Sequence, residues 1–493
     1  MLEHRGPHGL AAAATGRAVL GQVRLALGDA APQPVRGKDG RLALVCNGRV
    51  YNQERLRSRL LVSHRLDNGS DAELILHLYE DLGAGCVHEL DGPFAFFVSD
   101  GRRFLAARDA FGVKPLYVGW NASRRDLWFA SEFKALVAHC DGFKALPPGS
   151  YVTHAGEVRH WFAPGWARRP GTERKISRDE LLDRLDAALV KRLTSPARLG
   201  VFLSGGLDSS VLSALAVRRL DFPQTFAAGM EGAADLEAAR GVAKVLGTRH
   251  RECVFTFDDV VTVLEDVIYH LESYDPALVR GAVPYYLLSR LAADSVKVVL
   301  VGEGADELFA GYQHLGALAN PAALHAECVA LLTSLHCLNL QRLDRMTMAH
   351  GLEARVPFLD PEFAAWSMRL DPRLKLHDED GQEKRLLRRA CRQLLPRTTL
   401  ARRQLDIGSG SGVELALIRH AEQSVSDHDL ANAARRFPWD PPTTKEQLLY
   451  RRCFEELFPG RWPRENVQRW RRPDVGAPES GIWMRRRACP LGS

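Results

Sequence analysis

Arg198-Leu-Gly-Val-Phe-Leu-Ser-Gly-Gly-Leu-Asp-Ser-Ser-Val-Leu212 is the stretch on which the reading of this chain turns. Val201, Phe202 and Leu203 form the apolar end of a short buried strand, Ser204, Gly205 and Gly206 a turn, and Val211–Leu220 an amphipathic helix. A strand, a glycine turn and a helix N-terminus make an anion cradle, because backbone N–H groups converge there and the helix dipole adds partial positive charge. Gly205 and Gly206 let backbone approach a phosphate without a Cβ in the way. The hydroxyls of Ser204, Ser209 and Ser210 supply further donors. The Gly-Lys-Ser/Thr ending of a Walker A loop is missing, so the cradle is of another kind. Asp208 is an acid inside this loop and repels phosphate unless a cation intervenes; Mg²⁺, which takes carboxylate and phosphate oxygens together, resolves that. The alternative is that Asp208 only caps the helix that follows.

Around this stretch lie 493 residues, 46% hydrophobic and 26% charged, enough for two or three domains. No apolar run reads as long enough to span a bilayer and no signal peptide is evident, so no membrane partner is expected. Nine cysteines are scattered singly without a CxxC pair, which argues against a zinc site or a disulfide framework and fits a reducing cytoplasm. The net charge of +6 is modest, and the Arg-rich pieces (Arg385–Arg392 and the last thirty or so residues) read as a solvated face and a polar tail, so no nucleic-acid partner is expected.

Residues 1–162 read as one β-rich domain, with strands at Arg41–Val45 and Gly92–Val98, a turn signal at Asn47-Gly48, and a helix over Asp71–Leu82. Residues 163–177, with Pro164, Gly165, Pro170 and Gly171, read as a linker. From 178 to 462 a helix (Leu181–Leu193) leads into the opening stretch, and helices then alternate with short apolar strands such as Lys297–Val301, the pattern of a parallel sheet. Ligands sit at the carboxyl ends of such strands. After Leu315 the reading is mostly helical, and residues 463–493 form a basic, irregular tail.

The Ser204 loop is of the SGGxDS type found in ATP pyrophosphatases, which cleave ATP to AMP and pyrophosphate. Together with Val299-Leu-Val-Gly-Glu-Gly-Ala-Asp-Glu-Leu-Phe-Ala-Gly-Tyr312 and Arg345-Met-Thr-Met-Ala-His-Gly-Leu-Glu-Ala-Arg-Val-Pro-Phe-Leu-Asp360, it resembles the asparagine synthetase family. Further ordered blocks match: Thr225–Gly232, Leu271-Glu-Ser-Tyr-Asp275, Gln382–Arg388 and Arg436–Glu446 downstream; Arg5-Gly-Pro7, Cys46–Asn52, Leu90-Asp-Gly92, Ala107-Arg-Asp109 and Ser131-Glu-Phe-Lys-Ala-Leu136 upstream. The likeness covers nearly the whole chain except its extreme ends. It implies an α/β plus α+β chain: an N-terminal-nucleophile-hydrolase-like αββα sandwich, degenerate here, followed by an adenine-nucleotide α-hydrolase-like (PP-loop) parallel-sheet synthetase domain.

The resemblance also implies a reaction. A carboxylate attacks the α-phosphate of ATP, giving an acyl-adenylate and pyrophosphate, and ammonia or an amine then displaces AMP. Its cofactors are ATP and Mg²⁺, with Asp208 and Asp306 as metal ligands, and Glu303, Lys384 and Asp306 as the catalytic set. Phe202, Leu203, Ser204, Gly205, Gly206, Asp208, Ser209, Ala228, Val301 and Gly302 would line the nucleotide, with Phe202 and Ala228 flanking adenine through their backbone. Glu307 is either a site member or structural. Arg355 and Asp360 are either a supporting ion pair or site members, and lean to structural; Asp275 and Arg280 fall where the family lines its acid-substrate region. From composition alone Lys384, in a run of arginines on a helix with Leu386, Leu387 and Ala390 inward, would be solvated; the family match reverses that.

At the amidotransferase end the likeness breaks. The family's nucleophile is a cysteine at the mature N-terminus whose own amine is the base; here residue 1 is Met and no cysteine precedes Cys46, so a shortened start without that nucleophile is expected, unless an in-frame cysteine lies upstream. Cys46 aligns beside the oxyanion position and reads as a buried strand residue. Where the family has Asn-Gly-Glu-Ile-Tyr-Asn, this chain has Asn47-Gly-Arg-Val-Tyr-Asn52, so Arg49 stands where an acid pairs with the α-ammonium of glutamine. Arg24, Asn47, Gly48 and Asp71 remain as pieces of a vestigial glutamine site. The expected partners are a small-molecule acid and ammonia or an amine; the sequence leaves open a separate donor chain and a homodimer. Two other readings stand: a β-lactam-synthetase-like ligase acting on a non-aspartate acid, and a catalytically silent binding homologue.

Overall fold

The computed structural model describes residues 1–27, 32–194, 197–318, 320–378 and 380–469. The first domain stacks helices on two antiparallel sheets and adds a two-stranded hairpin, Leu10–Thr15 with Ala18–Val23. The larger sheet has six strands in the order 158–160, 150–153, 104–108, 94–99, 43–48 and 35–36; the smaller sets Tyr117–Asn121 between Asp126–Ala130 and Gly142–Ala145. Period-two alternation along Phe94–Ser99 explains the layering. Phe94, Phe96 and Val98 face the helices Gln53–Leu60 and Asp71–Leu82, while Ala95 and the partly buried Phe97 pack with Leu116, Val118 and Phe129 of the smaller sheet. The Asp71–Leu82 helix has its expected bounds, capped by the Ser70 side chain, which accepts from Glu73 N at 3.3 Å. Asn47 and Gly48, expected in a turn, instead end the strand Ala43–Gly48, because they pair with Ala95 and Phe94.

The second domain carries a five-stranded, all-parallel sheet in the order Arg249–Phe255, Gln224–Met230, Leu199–Phe202, Val298–Leu300, Glu353–Arg355. Chain order runs outward in one direction from Leu199–Phe202 and then in the other, so the switch point lies between Leu199–Phe202 and Val298–Leu300. Crevices for ligands open at such points, beyond the carboxyl ends of the strands. The helix after the Ser204 turn spans Leu207–Val217 and so starts four residues earlier than its apolar periodicity suggests, with Gly206 as its N-cap. Asp208 and Ser209 therefore stand in its first turn, facing the switch point.

Other segments also depart from expectation. The 163–177 stretch is strapped to the second domain: Glu173 bridges to Leu370, Arg174 donates to Asp371 at 2.8 Å, and His325 bonds the Trp166 carbonyl at 2.8 Å. Ser177 caps a helix that begins at Arg178. The Pro321–Met348 stretch has the length and apolar composition to cross a bilayer, contrary to the sequence reading, yet 61% of its apolar window is buried inside the fold. It is two helices, Pro321–Ser334 and Asn339–Met348, separated by a 3-10 turn. A helix at Arg461–Asn466 replaces the irregular start of the tail, whose remainder from residue 470 lies outside the described residues. All eight cysteines among the described residues are free thiols.

The two domains are joined by a buried ionic cluster. Arg5 donates to Glu132 at 2.6 Å and holds Asp344 with both terminal nitrogens, at 2.8 and 3.1 Å. Lys134 lies 2.5 Å from Glu132 and 3.6 Å from Glu272; Arg345 reaches Glu272 at 3.0 Å and Asp344 at 3.1 Å. Three cations (Arg5, Lys134, Arg345) thus balance three anions (Glu132, Glu272, Asp344), all buried. Burial alone would raise both carboxyl pKa values, but Lys134, Arg345 and Arg5 hold Glu132 well below the usual range, and Arg5 lowers Asp344. Carboxyls depressed on folding stabilise the fold above their unfolded values, 4.5 for Glu and 3.8 for Asp, and that stability is lost as pH falls further through the folded values. The melting temperature is therefore expected to hold from pH 7 to about 5 and to fall below about 4. Arg5→Met leaves three buried acids to share two cations and should cost about 3–5 kcal/mol at pH 7, with a shallower acid limb; melting curves of both chains across that pH range check this.

Candidate active site

The Ser204 turn and the Gly302–Asp306 loop follow the two strands that flank the switch point. Gly205 takes φ +73°, and a Cβ there would come within 2.4 Å of the Ala238 backbone, so the turn requires glycine. Ser204 and Ser209 hold the loop's shape: their hydroxyls are 3.2 Å apart, Ser204 N donates to Ser209 Oγ at 3.2 Å, and Gly206 N donates to Ser204 Oγ at 3.3 Å. The Ser210 hydroxyl is buried without a partner. Leu203 N donates to Phe226 O and Val301 N to Arg355 O, so both continue their strands to the cleft. Ala228 lies in the neighbouring strand, and the Phe202 ring packs on Tyr285, centroids 5.9 Å apart.

Lys384 joins the two loops. Its ammonium pairs with Asp208 Oδ2, lies 2.7 Å from Asp306 Oδ1, and donates to Gln404 Oε1 at 2.5 Å. Gln404 returns a hydrogen bond to Asp306 Oδ1 at 2.7 Å. Lys384 is not inside the helix, as its sequence neighbours suggested; it is the residue before Arg385–Ala390, with φ +55° in the left-handed region. That backbone turn aims the side chain into the cleft while Leu386 and Leu387 pack inward. Burial works against its charge, but the two aspartates hold the Lys384 pKa above the ordinary lysine value. Asp208 does not cap its helix: burial lifts its carboxyl to about 6 against the pull of Lys384, and its Oδ1 is buried with no partner.

Glycines make room for this contact. A Cβ on Gly311 would sit 1.8 Å from Asp306 Oδ1 and 2.3 Å from Lys384 Cε, and one on Gly302 would sit 2.9 Å from Asp208 Cβ. Glu303 stands on the other side of the loop, where Arg342 donates to its Oε1 at 2.8 Å and the Tyr285 hydroxyl at 3.2 Å, with the guanidinium 5.1 Å from the Tyr285 ring centroid. Glu307 turns into the core: burial and Asp306 push it to about 8 although the Tyr312 hydroxyl donates to it at 2.6 Å, so at neutral pH it is largely uncharged.

Arg402 and Gln404 were missed from the sequence. Arg402 donates to the Ser204 carbonyl at 3.1 Å and to Asp235 at 2.6 Å, bracing the turn from outside. Their only signal was an Arg-Arg-Gln run, which reads as solvent-facing. Asp275 caps the helix Pro276–Ala293, and Arg280 is tied to Glu446 at 2.6 Å and to Glu414. Arg355 and Asp360 do not pair with each other. Arg355 holds Glu353 at 2.7 Å, and Asp360 caps Pro361–Arg369 while taking Arg192 at 3.0 Å. A cavity of about 510 Å³ opens at the opposite ends of the strands, lined by Arg198, Asp221, Phe222 and Arg249; none of the groups just described borders it.

In the first domain, Arg49 pairs with Asp71 Oδ2 at 3.2 Å, and Asp71 Oδ1 accepts from Val50 N at 3.1 Å and Gln53 Nε2 at 2.5 Å. Asn47 Nδ2 is buried without a partner. Gly48 has φ +153°, where a Cβ would meet Pro93 O at 2.2 Å. The Arg24 backbone pairs with His8 and Gly9. Cys46 is a buried strand residue whose thiol pKa is raised by burial.

The asparagine synthase family pattern matches residues 180–323 and 316–476, and the glutamine amidotransferase domain pattern matches residues 1–151. An asparagine synthetase (glutamine-hydrolyzing) of Triphysaria versicolor is 39% identical over 482 residues, 93% of this chain and 82% of its own. Asparagine synthetase 2 (glutamine-hydrolyzing) of Arabidopsis thaliana is 40% identical over 93% of this chain and 83% of its own. A probable asparagine synthetase (glutamine-hydrolyzing) of Dictyostelium discoideum is 38% identical over 95% of this chain and 91% of its own. A solved glutamine phosphoribosylpyrophosphate amidotransferase from B. subtilis, complexed with ADP and GMP, covers 51% of this chain and 60% of its own at 19% identity and a TM-score of 0.30, too loose a fit to argue from. With both patterns and full-length relatives in agreement, the chain belongs to the asparagine synthetase family, carbon–nitrogen ligases that form AMP.

Proposed function

We propose that this chain joins aspartate, or an aspartate-like acid, to AMP at the expense of ATP and passes the acyl group to ammonia or an amine, releasing pyrophosphate and then AMP. The observation that carries the reading is the Lys384 ammonium held between Asp208 and Asp306 at the switch point. In this reading the Ser204 turn and the Ser209 hydroxyl cradle the departing pyrophosphate, and Lys384 neutralises the charge that develops on it. Backbone at Phe202, Leu203, Ala228, Val301 and Gly302 lines the nucleotide. Glu303, oriented by Arg342 and Tyr285, receives the incoming nitrogen and takes its proton. Residues 178–462 carry this chemistry, and residues 1–162 are a separate folded unit.

The donor set fits Mg²⁺. Two carboxylates face one ammonium, leaving a surplus negative charge, and Asp208 Oδ1 is buried without a partner. Asp208 and Asp306 would hold the ion, which when bound offsets the charge of the phosphates.

We further propose that the first domain no longer hydrolyses glutamine. Arg49 already occupies Asp71, the acid left to receive the substrate's ammonium. It also sets a like charge against that ammonium, at a cost of roughly 4 kcal/mol for a separation of about 4 Å at an effective dielectric of 20. Ammonia then reaches the acyl-adenylate free or from another chain.

Pyrophosphate release assayed over a panel of acids and amines tests the main reading: aspartate with ammonia supports it, release with a lone amino-diacid favours a ring-closing ligase, and none with any pair overturns it. Asp208→Ala and Lys384→Ala should each lower kcat by about 10²-fold or more with the fold intact. Gly311→Ala should do likewise, by displacing Lys384 rather than removing it, and circular dichroism with steady-state kinetics separates this from unfolding. Calorimetry should detect no glutamine binding to the parent chain and weak binding to Arg49→Glu.

A further inference from the structure

In the first domain, among residues used by neither site, two histidines and a glutamate converge. His77 and Glu80 lie three residues apart on the Asp71–Leu82 helix and so share one face. His64 comes from the loop after Gln53–Leu60, and its ring lies 4.4 Å, centroid to centroid, from that of His77. Glu80 Oε2 is 2.7 Å from His77 Nδ1 and 3.6 Å from His64 Nδ1. The three donor atoms lie within 4.8 Å of one another.

We propose that His64 Nδ1, His77 Nδ1 and Glu80 Oε2 bind a divalent transition cation of the zinc class. Tetrahedral zinc with bonds of about 2.0–2.2 Å needs donors roughly 3.3–3.5 Å apart, and the two distances to Glu80 bracket that spacing. The surroundings argue for a ligand set independently of the convergence. The far nitrogen of His64 meets a carboxylate, Asp81 Oδ1 at 2.8 Å, while the nearest acid to His77 Nε2, Glu73 Oε1, stands at 3.9 Å, beyond hydrogen-bond reach. A carboxylate behind an imidazole fixes the proton on the far nitrogen and turns the near lone pair toward the metal. Glu73 is itself anchored, accepting from the backbone N–H groups of Asp67, Asn68 and Gly69 at 2.6, 3.1 and 2.5 Å. Three acidic side chains (Glu73, Glu80, Asp81) surround the two imidazoles, a setting that favours a cation over an anion. Three protein donors leave the fourth position to water.

The site is a clamp. It ties the 61–69 loop to the helix whose first residue, Asp71, holds Arg49, and it closes the loop from His64 to His77, adding to the hydrogen bonds and the packing of Leu66 that already order it.

The test uses the purified full chain and Zn²⁺ alone, followed by calorimetry and thermal melting, with Co²⁺ as the spectroscopic probe. One Zn²⁺ per chain, a raised melting temperature, and a Co²⁺ spectrum without thiolate charge transfer are expected. His77 is buried and its replacement can unfold the helix, so the variants are His64→Ala and Glu80→Gln, both on the solvent side. Each should weaken Zn²⁺ binding at least tenfold and abolish the thermal shift, with pyrophosphate release unchanged. No stoichiometric binding, binding undiminished in His64→Ala, or a thiolate-type Co²⁺ spectrum overturns the proposal.

Discussion

One ammonium between two carboxylates sets the terms for the synthetase domain. Asp208 and Asp306 follow neighbouring parallel strands, and the strand order brings them together whatever their charge. Two buried acids at that range would repel each other, so one would take up a proton. Lys384, arriving from 78 residues beyond Asp306, sets a positive charge between them and holds both side chains in place. Several local oddities follow from this contact. Lys384 takes a left-handed backbone turn to reach in, Gly302 and Gly311 leave the volume its neighbours need, and Gln404 bridges ammonium to carboxylate.

A second cluster of charge fixes the two domains to each other. Six buried groups from four separate stretches neutralise one another between the amidotransferase-type sandwich and the synthetase sheet. Buried ion pairs contribute little net stability against apolar packing, but an incomplete set is heavily penalised. The cluster therefore acts mainly on geometry, since only one docking of the domains leaves no charge without a counter-ion. Of the sequence blocks that carry the family likeness, Arg5-Gly-Pro7, Ser131–Leu136, Leu271–Asp275 and the block starting at Arg345 all feed this junction rather than the reaction.

What could be read in advance was local. The Asp71–Leu82 helix, the strand–turn–helix at Ser204 and the alternation of a parallel sheet each leave a signature within a dozen or so residues, and those signatures held. The start of the helix at Leu207 was hidden because its first turn is made of loop-forming residues. The sheet order, the interdomain cluster and the placement of Gln404 depend on contacts between segments far apart in the chain, or on a backbone turn no periodicity encodes. Arg402 and Lys384 sat in runs of basic residues that look solvated until the fold places an acid opposite each of them.

The site's two walls tolerate change unequally. On the nucleotide side an added methyl at Gly205 or Gly302 runs into backbone or a Cβ, and one at Gly311 into the Asp306–Lys384 contact itself. On the opposite wall, a methyl at Gly281 would meet the guanidinium end of Arg342, 2.6 Å away, and Ile407 at 3.1 Å. Arg342 in turn orients Glu303. The wall built by Gly205, Gly302 and Gly311 thus has no slack for an added atom, whereas the wall at Gly281 can change as far as one guanidinium is able to shift.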